Sequence, residues 1–162
     1  MRALLYSDLH YGFNDNTNRI LLKFFKGISR IEVDVVINCG DSISHKEVQI
    51  EKFMELQRRY IKCPIVQCSG NHDKWGVDGK DPDWYKHREQ LWEYVRKKYD
   101  VLHPSECPQI CGFNIVGIDG WYHSRMAMGQ TNDMYHIGTM IEDQISFQYL
   151  REYAERDLQA II

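Results

Sequence analysis

Pro64-Ile65-Val66-Gln67-Cys68-Ser69-Gly70-Asn71-His72-Asp73 is the stretch on which the fold turns. Its first half is a short apolar run, as a strand buried on both faces requires. Its second half is polar, broken by glycine, and made of side chains that bind cations. Two earlier stretches are built the same way. Ala3-Leu4-Leu5-Tyr6 runs into Ser7-Asp8-Leu9-His10, and Val33-Asp34-Val35-Val36-Ile37 runs into Cys39-Gly40-Asp41-Ser42.

Helical pattern follows each run. After the first, Ile20, Leu21, Phe24, Phe25 and Ile28 recur at helical spacing. After the second, Ile50, Phe53, Met54 and Tyr60 do so less regularly. After the third, Asp81 and Pro82 read as N-cap and first residue of a helix to about Tyr99, with Trp84, Leu91, Tyr94 and Val95 on its apolar side. Repeated strand–helix units predict an α/β fold with a largely parallel sheet. Further on, Val101-Leu102 and Phe113–Ile118 read as strands with no long helix between them. A polar loop from Gly120 to Gly138 follows, then a helix from about Glu142 with a stripe of Phe147, Leu150, Ala154 and Leu158. Ala160-Ile161-Ile162 reads as the opening of another strand.

In open α/β sheets, sites form beyond the carboxyl ends of the strands. Asp8, His10, Asp41, Asn71 and His72 are therefore expected to converge, with strand alternation placing Asp8 and His10 on one side. Gly40 and Gly70 allow close backbone approach just before each polar residue. Two carboxylates, an imidazole and an amide oxygen suit hard-to-borderline divalent cations. A carboxylate such as Asp41 can span two cations roughly 3.5–4 Å apart, which would hold a hydroxide and neutralise charge on a phosphate. A neighbouring histidine can protonate the leaving alkoxide. Each motif alone is ordinary: Gly-Asp is common turn chemistry, and Asn71 or Asp73 could simply cap the next segment. Three in order, each at a strand end, are not explained by turns.

The pattern resembles the calcineurin-like metallophosphoesterase superfamily, whose signature is D-x-H, then G-D, then G-N-H-[DE]. Here these stand as Asp8-Leu9-His10, Gly40-Asp41 and Gly70-Asn71-His72-Asp73. The resemblance implies a four-layer α/β/β/α sandwich and a metal-dependent hydrolase of phosphate mono- or diesters that uses a metal-bound hydroxide. It implies two divalent metal ions of manganese, iron or zinc, manganese favoured. Asp8 and His10 would hold the first, Asp41 would bridge, and Asn71 would hold the second. Asn71 and His72 would contact the substrate phosphate, His72 assisting the leaving group.

The family's later Gly-His-x-His does not occur in this chain. The sandwich is therefore expected to be incomplete at the C-terminus, residues 1–162 being a single truncated domain with at most one metal site occupied or partly occupied. Of the other histidines, His45 and His87 fall in helical regions and His103 reads as a surface turn residue. His123 and His136 lie in the long loop, where either is a candidate substrate contact rather than a ligand, His123 the one carried forward. Asp-Leu-His-Tyr-Gly also resembles the opening of the double-strand-break repair nucleases of the same superfamily. Two alternatives follow: a DNA nuclease, or a non-catalytic fragment that keeps the fold.

Composition narrows the partners. A net charge of −3 over 162 residues provides no general basic surface for nucleic acid, so a phosphorylated small molecule or nucleotide is the favoured substrate. No apolar stretch approaches the roughly 18 residues of a membrane span, so no membrane partner is expected. The five cysteines are odd in number and wrongly spaced for a zinc finger. They read as buried or inert thiols in a cytoplasmic protein.

Overall fold

A computed structural model of the chain describes residues 1–44, 46–74, 84–117 and 119. In order these form β1 (Ala3–Tyr6), α1 (Asp15–Ile28), β2 (Val35–Asn38), α2 (Glu47–Tyr60), β3 (Ile65–Gln67), the single turn α3 (Asn71–Lys74), α4 (Trp84–Lys98) and β4 (Val101–Leu102). A 3-10 turn at Pro104–Glu106 and two short strands, β5 (Gln109–Ile110) and β6 (Phe113–Asn114), follow. β1 to β4 make one parallel sheet in sequence order, while β5 and β6 pair antiparallel as a separate hairpin. The α/β reading and its parallel sheet therefore hold.

The strand order decides where the helices go. Right-handed crossovers that wind a sheet steadily in one direction deliver every connecting helix to the same face. Side-chain alternation then divides the strands. Val36, Ile65 and Val101 pack with Leu21, Phe25, Ile50, Phe53, Trp92 and Val95 from the helices. Val35 and Val66 belong to the opposite face and need another cover. Ile110 of the hairpin supplies it, with Ile37, Leu102 and Ile115 packed alongside. Among the described residues the layers are thus helices, parallel sheet and hairpin.

Local chemistry starts α1 where the periodicity puts it. Asn14 takes extended backbone and its side chain accepts from the Thr17 amide at 2.9 Å, while Asp15 and Lys26 complement the helix ends. Leu21, Phe25 and Ile28 are buried as expected, but Ile20 faces solvent. In α4 the buried residues include Trp92 and Arg88, and Tyr94 is 61% exposed, so its place in the apolar stripe is corrected. The second strand is Val35–Asn38 rather than Val33–Ile37. Among the described residues of the run Phe113–Ile118, Phe113–Asn114 is strand. Cys39, Cys107 and Cys111 are exposed, so the expectation of buried thiols fails for them, although all five cysteines are free. The Asp81-Pro82 cap, His45, the loop with His123 and His136, the helix from Glu142 and the strand at 160–162 lie outside the described residues.

Candidate metal centre

Beyond their last paired residues β1 and β2 stay zipped together. The amide of Asp8 donates to the Gly40 carbonyl at 3.0 Å, that of His10 to Asp41 at 3.0 Å, and that of Tyr11 to Ser42 at 2.9 Å. To keep this pairing the chain adopts left-handed backbone at Asp8 (φ 58°), His10 (φ 46°) and Asp41 (φ 52°). Such backbone costs on the order of 1–3 kcal/mol per non-glycine residue and collects at functional sites. The alternation argument for Asp8 and His10 therefore does not apply. β1 ends at Tyr6, and left-handed turns aim these two side chains.

The two glycines serve the close approach that the sequence suggests. Gly40 has φ 101°, and a Cβ on it would lie 2.5 Å from the Gly70 amide nitrogen. A Cβ on Gly70 would fall inside the Asp41 carboxylate. Only bare backbone lets the second and third strand ends touch.

Three side chains meet there. His10, Asp41 and His72 each offer one ligand atom, and the three atoms lie within 4.8 Å of one another. The His10 and His72 rings stand edge to face with centroids 4.5 Å apart. Asp41 Oδ1 accepts from the His72 amide at 3.0 Å. Burial pushes the Asp41 carboxyl up, partly countered by that amide and by the charges of His72 and His10, while Asp8 pushes it further up. Asp8 is exposed, its carboxylate paired with the Ser7 hydroxyl, and it does not join the trio. His72, expected as a phosphate contact, does join it. The side chain of Asn71 lies outside the description. Two imidazole nitrogens and a carboxylate oxygen at this spacing fit a borderline divalent cation.

Buried groups hold the loops in place. Asp73 is fully buried; its Oδ1 accepts from the amides of Ser42 (2.9 Å) and Ile43 (3.1 Å), and its Oδ2 from that of Gly70 (3.0 Å). Burial pushes this carboxyl up to about 7, against the pull of those three donors. The Asp73 carbonyl in turn accepts from Arg88 Nε at 3.0 Å and Trp92 Nε1 at 2.7 Å, which anchors α3 to α4. Beneath the centre Asn38 Nδ2 and Gln67 Nε2 both donate to Ser42 Oγ, at 2.8 and 3.2 Å.

The sequence reading missed one cluster. His103, expected at the surface, is 7% exposed and its Nε2 lies 3.1 Å from Asp119 Oδ1. Asp119 also accepts from the Ser69 amide at 2.6 Å and pairs with Lys74 Nζ at 3.3 Å. Burial alone would raise the Asp119 carboxyl, but His103, Lys74 and the Ser69 amide together hold it well below the usual carboxylate range. No local motif marks Asp119, since its partners lie up to 50 residues away.

The parallel sheet in this order carries His10, Asp41 and His72 beyond its first three strands. The sequence pattern that defines calcineurin-like phosphoesterases matches residues 1–158, and the chain belongs to that family. No curated protein matches the chain.

Proposed function

We propose that the chain hydrolyses phosphate esters at a metal centre built on His10, Asp41 and His72, with Asp8 and Asn71 completing the protein's donors. The convergence of those three ligand atoms within 4.8 Å, in a chain of this family, carries the proposal. Divalent cations bound there, manganese favoured over iron or zinc, would supply a Lewis acid and a nucleophile at neutral pH. The chain's own residues do the rest. Asp41, half-buried and braced by the His72 amide, is the carboxylate that would be shared between the cations. His72 Nδ1 donates to the Ser44 carbonyl at 2.9 Å, so Nε2 is the nitrogen left for the reaction, where it would either hold the cation or, as the imidazolium, hand a proton to the leaving oxygen.

The substrate is read as a phosphorylated small molecule or nucleotide, in keeping with a net charge of −3. A cytoplasmic site of action is read from five free cysteines. The test is hydrolysis of p-nitrophenyl phosphate and bis-p-nitrophenyl phosphate by chelator-treated protein, before and after manganese is restored. Turnover that returns with manganese supports the reading. Equal turnover with and without metal overturns it.

A further inference from the structure

One carboxylate stands behind the turn that carries Asn71 and His72. Asp119 Oδ1 accepts from the amide of Ser69, the residue before Gly70-Asn71-His72, at 2.6 Å. Its Oδ2 faces the ammonium of Lys74, the last residue of α3, at 3.3 Å. Both ends of the turn thus hang from one side chain. That side chain is itself secured by His103 Nε2 at 3.1 Å, on the segment that leaves β4. Asp119, His103, Lys74 and Ser69 are all buried, so water does not substitute freely for these contacts. The His103 ring is oriented from its other side, where Nδ1 lies 2.6 Å from Ser105 Oγ and also accepts from the Ser105 amide. With Nδ1 accepting, Nε2 carries the hydrogen that goes to Asp119.

Asp73 secures the same turn through Gly70, and Asp119 secures it through Ser69 at its start and Lys74 at its end. Neither carboxylate belongs to the trio of candidate metal ligands. A loop held on both flanks places its side chains more sharply than one held on a single flank, and supporting groups of this kind govern the affinity of a metal centre.

We propose that Asp119 is a positioning residue for the metal centre, holding the Ser69 amide and the Lys74 ammonium so that His72 meets His10 and Asp41. The inference rests on the metal-centre reading above, and its test separates the two. Manganese affinity is measured by calorimetry on the full chain for wild type, Asp119→Asn and Asp119→Leu, with amide hydrogen exchange followed on the same proteins. Asparagine keeps an oxygen that can accept from Ser69, whereas leucine keeps none. The expected result is faster exchange at Gly70 and His72 with unchanged exchange at Val36 and Ile65 in the sheet. Manganese affinity should fall roughly 10–100-fold in the leucine variant and less in the asparagine variant.

Unchanged exchange at Gly70 and His72 in both variants would overturn the proposal. So would faster exchange there with wild-type manganese affinity. Should Asp119→Leu fail to fold, the asparagine variant decides by the same two measurements. Should the wild type bind no manganese, the metal-centre reading fails, and the exchange comparison alone settles whether Asp119 holds the turn.

Discussion

His72 Nδ1 lies 2.9 Å from the carbonyl oxygen of Ser44. A carbonyl only accepts, so Nδ1 carries the hydrogen and Nε2 is the working nitrogen. If Nε2 protonates the leaving oxygen, the effect of losing it depends on the leaving group. His72→Asn should slow hydrolysis of an alkyl phosphate by about 10²–10⁴-fold. A p-nitrophenyl ester, whose leaving group needs no proton, should suffer far less. Steady-state turnover of the two esters is the measurement, and equal losses would assign His72 to holding the cation instead.

Two glycine substitutions should have opposite signs. Gly40→Ala puts a Cβ against the Gly70 backbone at φ 101°, so it should destabilise the fold and push the second and third strand ends apart. Gly27 lies in α1 with nothing within 4 Å of its Cβ position. Gly27→Ala should stabilise by about 0.5–1 kcal/mol through helix propensity. Urea unfolding midpoints of the two variants check both signs, and a Gly40→Ala protein as stable as wild type would contradict the close approach.

Stability should fall in acid through Asp119. Its folded carboxyl lies below the ordinary range, so the unfolded chain takes up that proton at a higher pH than the folded chain does. The stabilisation it contributes is complete above the ordinary carboxylate value of about 4 and is lost as pH falls below it. Urea midpoints between neutral pH and pH 3 should therefore decline more steeply for wild type than for Asp119→Asn. Parallel declines would count against the ion pairs at Asp119.

The thiols should divide by burial. Burial pushes the Cys68 thiol up to about 12, and burial likewise raises that of half-buried Cys63. Thiolate is the reactive form, so both should label slowly at neutral pH. Exposed Cys39, Cys107 and Cys111 should label fast. A thiol-exchange time course should show three fast groups and two slow ones, and a fast Cys68 would contradict its placement.

Much of this architecture can be read from local pattern. The three strands are short apolar runs, Leu21, Phe25, Ile50 and Phe53 keep helical period, and Gly40 and Gly70 stand where two backbones touch. What escapes is non-local. Asp119 acquires its role from Ser69, Lys74 and His103, and His103 reads as a turn residue until Asp119 is placed beside it. Left-handed backbone at Asp8, His10 and Asp41 arises from pairing between loops beyond the strand ends, which side-chain period cannot reveal. Tyr94 and Ile20 keep helical spacing yet face solvent, because the apolar stripe is narrower than the spacing alone suggests.

The central claim is that Asp41, with His10 and His72 beside it, forms a cation site that hydrolysis needs. Calorimetric titration of manganese into wild type and Asp41→Asn, with aryl phosphate turnover measured on the same samples, tests it most directly. The account predicts manganese binding and metal-dependent turnover in the wild type, with both lost in Asp41→Asn while the fold is retained. Wild-type manganese affinity and unchanged turnover in Asp41→Asn would contradict it.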